Sequence, residues 1–288
     1  SGVDIALWDI VGKVAGLPLY QLLGGAHRRQ IPVYGYGMML RQEGIADLKA
    51  RFADEAIAIK QSGFVATKMK VGLGPKPDLE LAAAVRKAIG DDYRFMVDAN
   101  HCYTTSDAFH VGRGLEDLNA YWFEEPIAPE DHAGYRELRA GLKINISGGE
   151  AEFNRWGWRA LLETRGLDIA QPEVCALGGI SEYLRVLALC HAHFTPVVNH
   201  VWGSAVAVAA NMHLLAAMPD LPGGLHPWDP MLEFDTTDNK FRDNLLQQPL
   251  NIQNQVASNN GYVALPQGPG LGVSPDRDVL NHYNINNS

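Results

Sequence analysis

Asp98, Glu124 and Glu150 stand at equal intervals of 26 residues, and each closes a strand-like run. Asp98 ends Arg94-Phe95-Met96-Val97-Asp98, and Glu124 ends Tyr121-Trp122-Phe123-Glu124. Glu150 ends Ile144-Asn145-Ile146-Ser147-Gly148-Gly149-Glu150. Such an interval fits one strand, one helix and two loops. In a barrel of parallel strands the C-terminal strand ends open on one mouth. Three acids gathered there could share a hard cation such as Mg²⁺, which prefers oxygen ligands. With no cation, close carboxylates would repel and raise one another's pKa. The spacing therefore points to a metal site, with chance placement of acids in loops as the bland alternative.

Other residues could do proton chemistry beside those acids. Lys68 and Lys70 share one face of a strand, being two residues apart. If that face points inward, each ammonium lowers the other's pKa while the carboxylates raise it, and a lysine brought towards neutrality can act as a base. A solvated strand end with two ordinary lysines fits the spacing equally well. His200 ends the run Val197-Val198-Asn199-His200, and Glu173 follows Gln171-Pro172. Glu173 could bond one ring nitrogen of His200 and fix its tautomer, although a lone histidine is more often structural. Glu233, in Met231-Leu232-Glu233-Phe234, is either an oxyanion donor or a surface acid. Asn100 and His101, just after Asp98, are candidates for substrate contact or ordinary loop polarity.

The elements that must hold these residues are legible as alternation. Strands are expected at Ile31–Gly37, Ala66–Val71, Arg94–Asp98, Tyr121–Glu124, Ile144–Ser147, Asp168–Gln171 and Thr195–Asn199, with a weak one near Leu225. Amphipathic helices are expected at Gly44–Ser62, Asp78–Ile89, Thr105–Leu115, Arg155–Thr164, Ser181–His191 and Ser204–Ala217. Strand–helix alternation repeated this often predicts parallel strands with helical crossovers. The absence of a GxGxxG turn and of a P-loop favours a closed barrel over an open doubly wound sheet. After Glu233 the pattern decays into polar and Gly/Pro-rich sequence, and Asn281–Ser288 reads as a frayed tail.

Composition sets the class. The chain has 288 residues, enough for a one-domain barrel. A formal net charge of −9 argues against nucleic acid as a partner. Cys102, Cys175 and Cys190 form no C-x-x-C pair, which suits a reducing, cytoplasmic setting. The apolar stretch Val201–Met218 contains Ser204, Asn211 and His213 and reads as a buried helix, so no membrane span is expected. The chain opens without Met inside the helical pattern Val3-Asp4-Ile5-Ala6-Leu7-Trp8-Asp9-Ile10, which reads as a fragment.

Six segments in order resemble the signature of the enolase superfamily, mandelate racemase subgroup. They are Lys68-Met69-Lys70, Asp98-Ala99-Asn100, Glu124-Glu125-Pro126, Gly148-Gly149-Glu150, Gln171-Pro172-Glu173 and Asn199-His200. The resemblance runs from Gly2-Val3-Asp4 to Pro269-Gly270-Leu271-Gly272. It implies an α/β fold, a modified TIM barrel (β/α)₇β, whose N-terminal α+β capping domain is largely absent from this chain. The implied division is a helical connection over 1–30, the barrel over 31–235, and a C-terminal segment over 236–288 packing back towards the capping region. It implies Mg²⁺ on Asp98, Glu124 and Glu150, with Mn²⁺ as the alternative. Lys70 is then the base on one face of the substrate with Lys68 beside it, His200 the acid or base on the other, and Glu233 lies near the enolate oxygen. The implied step is removal of a proton α to a carboxylate. Where the family has an Asp paired to the histidine, this chain has Glu173.

Within the subgroup, Asp98-Ala99-Asn100-His101, Asn199-His200-Val201-Trp202-Gly203 and Met231-Leu232-Glu233-Phe234-Asp235 resemble the galactarolactone cycloisomerase group. That resemblance implies opening of a sugar-acid lactone or an anhydro-sugar acid by α-proton removal and expulsion of the ring oxygen, giving a 3-deoxy-2-keto acid. Asn100, His101 and Trp202 are then the expected substrate contacts, and a homo-oligomer is expected. An acid-sugar dehydratase or a racemase would use the same residues, and a non-catalytic barrel is the reading of another class.

Overall fold

The computed structural model describes residues 1–221 and 228–284. The chain opens with α1 (Gly2–Ala15) and α2 (Leu19–Leu22). Strands and helices then alternate: β1 (Gln30–Tyr36), α3 (Ile45–Gln61), β2 (Ala66–Lys70), α4 (Pro75–Ile89), β3 (Arg94–Asp98) and α5 (Thr105–Asp117). The alternation continues through β4 (Trp122–Glu124), α6 (His132–Gly141), β5 (Asn145–Gly148), α7 (Arg155–Thr164), β6 (Ile169–Ala170), α8 (Ile180–Ala192) and α9 (Ala205–Ala217). After β7 (Leu232–Asp235) come α10 (Lys240–Asn244), α11 (Ile252–Ser258), β8 (Tyr262–Ala264) and α12 (Arg277–His282).

Seven strands pair in the order β6-β5-β4-β3-β2-β1-β7, all in parallel. The segment expected as a strand at Thr195–Asn199 lies beside β6 but makes only one bridge, Ala170 to Val197. Pro196 carries no N–H to extend a ladder; its carbonyl accepts from the Ala170 N–H at 2.8 Å. The expected strand near Leu225 lies outside the described residues, and the last barrel strand is β7, around Glu233. The polar sequence after it is more structured than its composition suggests. β8 pairs antiparallel with β1, and the expected frayed tail begins inside α12, residues 285–288 lying outside the described residues.

Strand alternation sorts the side chains into two cores. Val33, Phe95, Val97, Phe123, Ile146, Ala170, Val197 and Leu232 face outward and pack under the helices. Tyr34, Ala66, Met96, Trp122, Ile169, Val198 and Met231 form a separate buried cluster, one inward layer drawn from around the barrel. Strands covered on both sides read as continuous apolar runs, which is why Phe95-Met96-Val97 needs no polar position. The next inward residues towards the C-terminal strand ends are polar, and they make the site.

The helices hold this barrel shut. α4 starts three residues before the expected Asp78, because Pro75 and Pro77 sit in a first turn whose N–H groups need no partner. Asp78 instead accepts from the Gly72, Leu73 and Gly74 N–H groups and from the Tyr103 hydroxyl. α9 is almost wholly buried and packs against α2, β1 and β7, and among the described residues no helix is long and apolar enough to cross a membrane. The C-terminal segment returns to the first helices: Leu271 N–H donates to Asp9 and Leu19 N–H to the Gly270 carbonyl.

Candidate active site

Parallel register brings the predicted residues to one level. Tyr36 pairs with Lys68, Lys70 with Asp98, Asp98 with Glu124, and Tyr34 with Glu233. The inward face of β2 therefore carries both lysines into the acids, as the inward-facing alternative required. Lys68 is 1% exposed; its Nζ lies 2.5 Å from Glu124, 2.6 Å from Glu233 and 3.2 Å from Asp98. Lys70 Nζ lies 2.5 Å from Asp98. Trp122 Nε1 and Gln171 Nε2 both donate to Glu124 Oε2, at 2.9 and 2.8 Å, so that one oxygen is fixed while Oε1 meets Lys68.

The other side of the mouth carries the histidine. Glu173 Oε2 lies 2.8 Å from His200 Nδ1, and Glu173 Oε1 accepts the Cys175 N–H at 2.7 Å. The glutamate thus reaches the ring that a shorter aspartate would be expected to serve. A carboxylate only accepts, so Nδ1 carries a proton and Nε2 is the nitrogen turned to the mouth. His200 Nε2 lies 3.1 Å from Glu150. Glu233 Oε2 accepts the Val201 N–H at 2.8 Å, tying β7 to the His200 segment where no ladder joins them.

Electrostatics follow from this packing. Burial would raise Asp98, but Lys68 and Lys70 outweigh it and hold its carboxyl well below the usual range. Burial and then the Asp98 charge push Glu124 well above that range. Burial and the neighbouring charges together thus carry the two acids in opposite directions. Burial pushes Glu150 up to about 7 against the pull of His200. Burial alone would lower His200, yet the Glu173 hydrogen bond and the Glu233 and Glu150 charges carry it to about 9. Lys68 is raised well above its ordinary value because Glu124 and Glu233 overcome burial, which acts downward.

Among the described residues no three acidic, histidine or cysteine side chains already stand in a metal-spaced group. The lysine ammonium groups lie between Asp98, Glu124 and Glu233, while Glu150 faces His200. The donor set nonetheless fits a hard cation. It offers carboxylates alone, from β3, β4 and the turn after β5, and burial disfavours the charged form of Glu150 that a cation would favour.

The expected substrate contacts divide. Asn100 donates its backbone N–H to Asp98 at 3.0 Å while its side chain is exposed. His101 lies with Nε2 2.5 Å from Glu125, whose hydrogen bond raises the ring's pKa against burial. Trp202 is 65% exposed and is not gathered into the cluster. Sequence reasoning passed over Trp122, Gln171 and Glu125 as working residues. The signal for the last was the Glu124-Glu125 doublet, where a second acid at a strand end needs its own partner.

The family described as "Enolase C-terminal domain-like" matches residues 51–279, and "Mandelate racemase / muconate lactonizing enzyme, N-terminal domain" matches residues 1–24. The chain is 40% identical to D-galactarolactone cycloisomerase of Agrobacterium fabrum over 285 residues, covering 99% of this chain and 73% of that protein. It is 33% identical to arabinonate dehydratase of Saccharolobus solfataricus, covering 98% and 71%. The crystal structure of 3,6-anhydro-D-galactonate cycloisomerase from Zobellia galactanivorans superimposes with a TM-score of 0.85 at 40% identity, covering 98% and 74%.

Proposed function

Because the chain belongs to the mandelate racemase / muconate lactonizing enzyme family of the enolase superfamily, we propose that it is a divalent-metal-dependent cycloisomerase of sugar acids. Its substrate is a sugar-acid lactone or an anhydro-sugar acid of the galactarolactone or 3,6-anhydrogalactonate type. The observation that carries this reading is the convergence of two lysines with Asp98, Glu124 and Glu233 on one side of the mouth and the Glu173–His200 pair on the other.

Asp98, Glu124 and Glu150 are the residues that would hold the metal, Mg²⁺ by preference and Mn²⁺ as the alternative. When bound, the cation supplies positive charge to the substrate carboxylate as the α-proton leaves. To hold it, the three carboxylates would have to turn from the Lys68, Lys70 and His200 nitrogens they meet here. Lys70, released from Asp98, takes the α-proton. Lys68 keeps its pairing with Glu233 and with it a positive charge on that side of the mouth. His200, protonated in this arrangement, faces the mouth through Nε2 and gives its proton to the ring oxygen as the β-carbon–oxygen bond breaks. Glu173 holds the ring for that transfer. Burial would raise Glu233, but Lys68 and His200 hold its carboxyl low, so it serves as an acceptor that steadies Lys68 rather than as a donor to the enolate oxygen. Tautomerisation of the enol gives a 3-deoxy-2-keto acid of unchanged composition.

The likeness to arabinonate dehydratase supports a second reading, in which the same residues expel a hydroxyl group as water. Incubating the enzyme with Mg²⁺ and D-galactarolactone or 3,6-anhydro-D-galactonate, then reading product mass and NMR, separates the two. We expect a keto acid isomeric with its substrate; a product lighter by one water would assign a dehydratase, and inversion at one carbon a racemase.

A further inference from the structure

The residue before His200 works on the other side of the barrel wall. Val198 and His200 face inward, so Asn199 between them faces the helices. There Asn199 is fully buried and joins a chain of hydrogen bonds across α8 and α9. The Tyr183 hydroxyl donates to Asn199 Oδ1 at 2.6 Å, Asn199 Nδ2 donates to Asn211 Oδ1 at 2.8 Å, and Asn211 Nδ2 donates to the Ala207 carbonyl at 3.0 Å. Tyr183 and Asn211 are fully buried as well. The direction of the chain is set at its end. A backbone carbonyl only accepts, so Asn211 turns its nitrogen to Ala207 and its oxygen to Asn199. Asn199 must then donate to Asn211 and accept from Tyr183. Neither amide can flip alone without setting two buried oxygens against each other.

Packing alone does not account for two amides and a hydroxyl at this depth. Three apolar side chains would join the same elements without burying polar groups. What the network adds is a fixed orientation, since a fully satisfied buried network rigidifies what it joins. The segment that carries His200 needs such a hold. Lys68, Asp98 and Glu124 stand on strands paired on both sides. The His200 segment is bonded to β6 through Pro196 and Val198 and no further; among the described residues no backbone–backbone hydrogen bond involves Asn199 or His200. Side chains bracket the histidine instead. Glu233 accepts the Val201 N–H after it, and α8 and α9 grip the Asn199 amide before it.

We propose that Asn199, gripped by Tyr183 and Asn211, is a positioning residue: it fixes the backbone of the His200 segment so that the ring stays on Glu173 with Nε2 at the mouth. Facing the helices, Asn199 acts through His200 and not on a substrate. The consequence for proton transfer rests on the acid-sugar reading above; the positioning does not.

The test combines ¹H NMR of the Mg²⁺-loaded enzyme with steady-state kinetics on D-galactarolactone. The spectrum reads the Nδ1 proton that His200 shares with Glu173, assigned by its loss in His200→Asn. We expect Asn199→Leu and Asn211→Leu to shift or broaden that resonance and to lower kcat about 10- to 100-fold, with KM within about threefold. Tyr183→Phe removes one hydroxyl and leaves the Asn199–Asn211 bond, so it should act in the same direction and more weakly; it decides alone if the leucine variants fail to fold. The apolar variant Tyr183→Phe/Asn199→Leu/Asn211→Leu should regain Tm over the single leucine variants but regain neither kcat nor the resonance. His213→Gln, two residues from Asn211 in α9, is the control for a loosened helix and should leave the resonance in place. A resonance unmoved in both Asn199→Leu and Tyr183→Phe would overturn the proposal. So would kcat returning with Tm in the apolar variant, or the same change of resonance in His213→Gln. Absence of turnover on D-galactarolactone by the wild type would count against the acid-sugar reading, and the resonance would still decide the positioning.

Discussion

Glu124 is the most constrained acid of the cluster. Trp122 and Gln171 donate to its Oε2, and Lys68 meets its Oε1. Groups that orient a metal ligand contribute to metal affinity without touching the metal. Gln171→Ala and Trp122→Phe should therefore each weaken Mg²⁺ binding by about 10- to 100-fold, measured by calorimetric titration. Unchanged affinity in both would mean that Glu124 is not a ligand. Asp98, Glu124 and Glu150 were legible in the sequence because equal spacing at strand ends becomes adjacency once strands run parallel. Lys68 was legible only as half of an i, i+2 pair, since the face that pair presents depends on the register of β2 with β1 and β3. Trp122 and Gln171 were hidden, because a ring N–H two residues before an acid and an amide 47 residues after it leave no pattern.

Among the elements, α9 shows how a polar group survives inside an apolar helix. His213 is fully buried; its Nδ1 accepts the Tyr20 N–H at 3.2 Å and its ring stacks on Tyr20. Burial lowers its pKa to about 4, so the folded protein keeps the ring neutral where the unfolded chain protonates it. Its contribution to stability is therefore complete above about pH 6.5 and is lost as pH falls from there towards 4, by about 3 kcal/mol. Denaturant melts between pH 7 and pH 4 should show a shallower loss in His213→Gln than in the wild type; parallel curves would exclude the assignment. The turn after β5 has a different constraint. Gly149 has φ of 109°, and a Cβ there would drive into the Trp158 ring. Gly149→Ala should cost about 2–4 kcal/mol in chemical denaturation and displace Glu150, whereas a cost under about 1 kcal/mol would show a turn more pliable than drawn. Most barrel helices were legible from periodicity, but α6, α10, α11 and α12 were not. The last three hold fewer than eight residues each, too short for a periodic stripe, and their signals are single caps such as Asn239 and Asp276. The β7 strand was read only through Glu233, and the Thr195–Asn199 run reads as a strand although Pro196 denies it a full ladder.

For the whole molecule, one apolar inward layer carries one polar layer, and the polar layer holds nearly all the chemistry. This separation is what a parallel barrel offers: strand ends set the site, and the loops beyond them can vary without disturbing the floor. The family match over residues 51–279 takes in the barrel from within α3 onward, and the match over residues 1–24 covers α1 and α2, against which the C-terminal segment packs. The central claim is that a metal, Lys70 and His200 act together on one substrate, Lys70 on the α-carbon–hydrogen bond and His200 on the β-carbon–oxygen bond. The most direct measurement is deuterium incorporation from D₂O at C3 of the keto-acid product, the former β-carbon at which the enol is protonated, with D-galactarolactone and 3,6-anhydro-D-galactonate as substrates. It should be run with Mg²⁺, with a chelator, and with the Lys70→Ala/His200→Ala enzyme. The account predicts incorporation that needs Mg²⁺ and disappears in the double variant. Incorporation that persists under chelation, or in the double variant, would contradict it.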